Sequence, residues 1–201
     1  MEENIENLAN IEVDKDNLAV YSNKNIYCES YYFIDILNES AYRKFIKNTK
    51  KIIRASKAYR RYTEMLLDNY TALTHDIILS NITSANAKIE FHHYPLSLDD
   101  IVDIVASYHI MKKEKVTSFS VAQEIMELHY KNNIGLVPLT TMNHQLAHGG
   151  SLFISEKQIF GNWKAFVEKY DSAISSNLRA KLNKLSQMTE DDVASDFKGL
   201  F

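Results

Sequence analysis

Four histidines of this chain are spaced as metal ligands are. His92 and His93 are adjacent, and His144 and His148 stand four apart just before Gly149-Gly150. On a helix, side chains four apart share one face. Two imidazoles from one helical turn and a third from a neighbouring strand make a three-nitrogen metal site with an open coordination position. The other histidine of the pair is then free to take a proton from a water beside the cation, which a neutral imidazole does well near pH 7. Glu90 lies two residues before His92 and so shares its face of a strand. From there its carboxylate can orient a ligand ring or a phosphate-binding cation.

The elements that must hold these side chains are legible around them. The run 89–94 reads as a strand, and Gly135 to Leu139 as a second short strand ending near Pro138. Thr140 or Thr141 is an N-cap for a helix that stops at Gly149-Gly150. Between the strands, Ser97-Leu98-Asp99-Asp100 predicts a helix start running to about Met111. Ser118 or Ser120 begins another helix that ends at Asn132-Asn133. Residues 97–133 therefore read as an inserted helical hairpin. Before the motif, an apolar stripe of Phe45, Ile52, Ala55, Tyr59 and Leu66 predicts one helix over about 41–68, with a shorter helix over 70–82. After it, a short strand at 152–154 is expected, then a helix capped by Asn162 and a further helical stretch over 173–185. Short strands are expected at 18–21 and within 26–36.

Composition narrows the class. The 201 residues are 45% hydrophobic and 24% charged, as in a soluble globular protein, and no apolar run is long enough to span a bilayer. The start, Met1-Glu2-Glu3-Asn4, is acidic and unlike a signal peptide, so a cytoplasmic location is expected. The single cysteine, Cys28, excludes an internal disulfide framework and a cysteine-based zinc knuckle. The net charge of −3 hides an asymmetry: Arg43, Lys44, Lys47, Lys50, Lys51, Arg54, Lys57, Arg60 and Arg61 fall within 41–63 with no acid among them. Lys47, Lys50, Lys51, Arg54, Lys57 and Arg61 lie on the arc opposite the apolar stripe, an expected phosphate-tracking face. The chain's end, 188–201, is acidic with Phe197, Leu200 and Phe201, which suits a docking peptide for a protein partner.

A strand with Glu-x-His-His, a second strand and a helix with His-x-x-x-His-Gly resembles the HNH, or ββα-metal, endonucleases, closest to the colicin-type DNases. The resemblance covers about a third of the chain. It implies that His92, His144 and His148 bind one divalent cation (Mg2+, Mn2+, Ni2+ or Zn2+), that His93 is the general base, and that Glu90 assists. It also implies DNA as substrate, with RNA open, and 5′-phosphate and 3′-hydroxyl products. Roughly forty residues separate the strands where the family keeps a short loop, and no Arg adjoins the His pair in sequence to clamp the phosphate. His75, His109 and His129 match no position of the pattern and read as ordinary surface or core residues.

The expected fold is α+β and predominantly helical: a ββα-metal core with an inserted helical hairpin and flanking helices. Its segments are an irregular or β stretch at 1–38, a basic helical segment at 39–87, the core at 88–161 and a C-terminal helix with acidic tail at 162–201. The expected function is metal-dependent hydrolysis of DNA with low sequence specificity, since no base-reading motif is present. Two other classes fit the residues: a zinc-stabilised nucleic-acid-binding protein without activity, and a structural or interaction protein on a degenerate nuclease fold. A metalloprotease is disfavoured, because His-Glu-x-x-His is absent.

Overall fold

A computed structural model of the chain describes residues 38–187. The strands expected at 18–21 and 26–36, and the acidic tail from Met188 on, lie outside these residues. The described part is α+β and predominantly helical, with seven α-helices and one two-stranded sheet.

α1 spans Glu39–Ala55 and begins at Asn38, whose side chain accepts from Ala41 N at 3.1 Å. The single helix expected over 41–68 is in fact two. Ser56 is extended (φ −72°, ψ 150°), and α2 starts beyond it as Lys57–Asn69. The buried Ser56 hydroxyl donates to Ile53 O at 2.7 Å and accepts from Tyr59 N at 3.0 Å, closing one helix and opening the next. A short hydroxyl side chain competes with the helix's own backbone bonds, which is why this residue breaks the run. The break resets the buried stripe. Phe45, Thr49 and Ile53 face inward from α1, and Ala58, Tyr62 and Leu66 from α2. Of the expected stripe, Phe45 and Leu66 are buried, Ile52 and Tyr59 are half-buried and Ala55 is exposed.

The helix expected over 70–82 also gives way, to a 3-10 turn at Thr71–Thr74 followed by an irregular loop. Asp76 causes this: its buried carboxylate accepts from Ile78 N and Leu79 N at 2.8 and 2.9 Å, satisfying donors that a helix would have used.

β1 is Ile89–His93 and β2 is Leu136–Thr140, paired antiparallel with His92 opposite Val137 and Glu90 opposite Leu139. Between them run α3, Leu98–Met111, and α4, Ser118–Tyr130, the helical hairpin read from the sequence. Both are opened by capping boxes, Ser97 with Asp100 and Thr117 with Ser120. The chain leaves and rejoins the ribbon at one point, where Tyr94 N donates to Gly135 O at 3.0 Å. A Cβ on Gly135 would come 2.1 Å from Tyr94 O, so only glycine fits that approach.

α5, Thr141–His148, follows β2 directly. The strand expected at 152–154 is absent: the segment is irregular, and Phe160 instead bridges Leu136. α6, Trp163–Lys169, is capped by Asn162, and α7 is Ser176–Gln187. One large core joins Phe45, Val105, Ile125, Leu136, Phe166 and Leu185, so α1, α3, α4, α6 and α7 share an interior across the sequence segments. A smaller cluster of Val137, Leu139 and Ile154, packed against Ala147 and Leu152, underlies α5.

Candidate metal centre

The sheet has two faces and they differ. Directly opposed residues of an antiparallel pair project to the same side. Glu90 and His92, with Leu139 and Val137, therefore face the small cluster and α5, whereas Phe91 and His93, with Pro138 and Leu136, face the large core.

On the α5 side, three rings converge. The centroids of His144 and His148 lie 5.1 and 4.8 Å from that of His92, and 4.7 Å from each other. One nitrogen from each lies within 4.8 Å of the others. Tetrahedral zinc at 2.0–2.1 Å asks for nitrogens about 3.4 Å apart, inside the 4.8 Å that bounds these three. His92 Nδ1 is buried and has no hydrogen-bond partner. An unpaired buried nitrogen is costly unless something binds there.

Second contacts fix the cluster. Glu90 Oε2 accepts from His144 Nδ1 at 2.7 Å, which leaves Nε2 as the nitrogen of that ring able to take a cation. Its other oxygen accepts from Lys88 Nζ at 2.6 Å. These bonds, that from Lys88 first, hold the Glu90 carboxyl down at about 2, so it is an acceptor at every physiological pH. α5 itself is moored by Asp76, which accepts from Thr140 N at 2.6 Å and, through both carboxylate oxygens, from Asn143 Nδ2 at 2.9 and 3.0 Å. Burial alone would raise the Asp76 carboxyl, yet the donors of Thr140, Leu79 and Ile78 bring it below the usual range. Asn143 is therefore a buried strut that holds the helix carrying His144, and it faces the carboxylate rather than the three rings.

The electrostatics suit a cation bound by neutral imidazole. Burial, then the neighbouring His144 and His148 and the charges of Lys181 and Arg54, lowers His92 to about 4. Burial, His144, Arg54 and Lys50 lower His148, partly opposed by Asp99. Unprotonated rings are what a metal ion requires. Three imidazole donors suit Zn2+ or Ni2+ better than Mg2+ or Mn2+, which prefer oxygen ligands.

The structure brings to this centre a residue that sequence adjacency hid. Arg54, at the end of α1, is near enough for its charge to act on His92, His93 and His148. Of the six cations expected to track phosphates, Lys47, Lys51, Arg54, Lys57 and Arg61 are exposed. They are not one ladder, because the break at Ser56 assigns Lys57 and Arg61 to α2. Lys50 is half-buried and donates to both oxygens of Asp99 at 2.6 Å, so it already has a partner.

His93 is on the other side. It is 5% exposed, its Nε2 lies 3.0 Å from His129 Nε2, and Tyr59 stacks on it at 6.2 Å. The structure thus brings together His92, His144, His148 and Glu90 and separates His93 from them by the thickness of the strand. α2 and α4 cover the face on which His93 stands. His129 and Asp76 were the residues that sequence reasoning missed. The crowding of six of the seven histidines into 89–150 was the one signal that pointed at His129.

A protein-family model described as bacteriophage G278-like virion protein matches residues 1–199. No curated protein and no solved structure matches the chain.

Proposed function

The chain belongs to the bacteriophage G278-like virion protein family, and from that premise we propose that it is a metal-dependent endonuclease of the HNH type that travels with the phage particle. The observation that carries this reading is the convergence of His92, His144 and His148 at the junction of an antiparallel ribbon and the helix that follows it. That order of elements is the one the resemblance implies for a ββα-metal centre. A virion component, rather than a protein confined to the cytoplasm, is the reading the family supports.

A divalent cation held there supplies charge neutralisation at the phosphate and help for the leaving oxygen. The chain's own residues do the rest. Glu90 orients His144. Arg54, with Lys47 and Lys51 exposed on the same helix, neutralises the DNA backbone beside the site. His148 is exposed and His144 half-buried, so the cluster is open to a polymer from the solvent side.

The burial of His93 favours a second reading: a metal-braced nucleic-acid-binding virion protein that does not hydrolyse. A nicking assay on supercoiled plasmid with Mn2+, Ni2+, Zn2+ or Mg2+, each against chelator, separates the two, with single-stranded RNA as the parallel substrate. Cation-dependent nicking that disappears in His148→Ala supports the enzyme. One bound cation per chain without nicking gives the second reading, and no cation uptake removes both.

A further inference from the structure

The covered face of β1 holds its own pair of rings. His129 Nδ1 lies 2.7 Å from Ile125 O, the carbonyl one turn earlier on α4. A carbonyl oxygen only accepts, so His129 carries its proton on Nδ1. Its Nε2 is then a lone pair, and that atom lies 3.0 Å from His93 Nε2. Two lone pairs at that distance in a dry interior would repel, so the shared proton is on His93 Nε2. Both rings are closed off from solvent, His93 at 5% and His129 at 0% exposed.

We propose that His129 is a positioning residue that locks His93 in the tautomer protonated on Nε2, leaving Nδ1 as its basic atom. Nδ1 is the ring nitrogen bonded next to the Cβ attachment, so it stays beside the strand while Nε2 reaches across to α4. The ring is also held flat. Tyr59 stacks on His93 with planes 15° apart, and Tyr59 and Tyr62 press their edges on His129 at 5.6 and 5.3 Å. The link to catalysis rests on the nuclease reading above; the tautomer does not. If hydrolysis runs through His93, the water O–H breaks and its proton goes to Nδ1. The hydroxide forms the new bond to phosphorus as the bond from phosphorus to the 3′ oxygen breaks, the leaving oxygen takes a proton from solvent water to become the 3′-hydroxyl, and the Nε2–H bond to His129 stabilises the imidazolium.

Nitrogen-15 NMR of the histidine side chains in the full chain, without metal and at neutral pH, reads the tautomers. The expected spectrum shows His93 with a pyridine-like Nδ1 and a pyrrole-like Nε2, and His129 with the reverse. A His93 protonated on Nδ1, or one averaging both forms, overturns the proposal. His129→Gln keeps an acceptor oxygen and preserves the His93 signature, whereas His129→Leu releases it into a mixture. Where the Leu variant does not fold, the wild-type and Gln spectra decide. In plasmid cleavage, His129→Leu is expected to lower kcat about 100-fold or more with KM near wild type, and Gln to recover most of the loss. A folded His129→Leu with unchanged kcat overturns the positioning role. A wild-type chain that binds cation and cuts nothing sinks the nuclease reading, and the spectra then decide this proposal alone.

Discussion

Two histidines one residue apart on β1 live in opposite surroundings. His92 keeps a buried nitrogen without a partner and has two further imidazoles within 5.1 Å. His93 has His129 as a hydrogen-bond partner, Tyr59 across its face and the large core behind it. Side-chain type is the same for both, and their sequence positions differ by one. What separates them is which elements the strand's two faces meet: an eight-residue helix with polar neighbours on one side, and two core helices on the other. A histidine with an unmet nitrogen in a cluster is built to bind something. A histidine whose bonds are made inside the protein is built to stay where it is.

The sharpest way to break this comparison is to remove one ring from each face. His92→Ala and His148→Ala are each expected to abolish stoichiometric binding of Zn2+, followed by calorimetry, while a folded His93→Ala still takes up one ion. Equal losses in all three would mean that the two faces are not distinct. The next largest effect concerns the mooring of α5. Asp76→Ala leaves four donors, from Ile78, Leu79, Thr140 and Asn143, without their acceptor. It should cost about 3 kcal/mol or more, measured by urea denaturation without metal. A loss below about 0.5 kcal/mol would show that water replaces the carboxylate and that the loop is not a strut.

Glu90→Gln sharpens the open face alone. It keeps the shape of the side chain but loses the charge that orients His144, so cation affinity should fall about 10- to 100-fold with little change in fold stability. Unaltered affinity would make Glu90 a partner of Lys88 only. The smallest effect lies in the helical hairpin that covers His93. There His109 bonds Glu114 through Nδ1 and Glu124 through Nε2, the latter at 2.5 Å, clasping α3 to α4. Burial alone would lower His109, but these two carboxylates raise it above its ordinary value. A raised folded-state value means that the stabilisation is complete below the unfolded value near 6.5 and fades as pH rises through the folded one. Wild type should exceed His109→Gln in stability at pH 6 by about 1 kcal/mol or less, since the site is partly exposed, and the gap should narrow by pH 9. A gap that widened with pH would reverse the sign of the clasp.

Much of this was legible because it is local. The caps at Ser97, Thr140 and Asn162 stand where the sequence puts them, since an N-cap is decided within three residues. The shared face of His144 and His148 follows from spacing alone. Ser56 was visible as a polar residue inside an apolar stripe, but its meaning as a helix break depended on the bonds its hydroxyl makes once buried. Asp76 was not legible, because its partners at Thr140 and Asn143 lie more than sixty residues away. The same holds for His129, whose role comes from how α4 meets β1 at His93, and no spacing rule carries that.

The excursion of the chain between Tyr94 and Gly135 has a consequence for kinetics. β1 and β2 cannot pair until roughly forty residues between them close a loop, an entropic cost that grows with the logarithm of loop length. α3 and α4 are locally encoded and doubly capped, so they can form early and bring the two ends together. The ribbon, and with it the meeting of His92 with α5, then belongs to the late part of folding. A cation held by all three rings would then bind only after the rate-limiting step. It should therefore slow unfolding several-fold in stopped-flow chevrons and leave the refolding limb where it was.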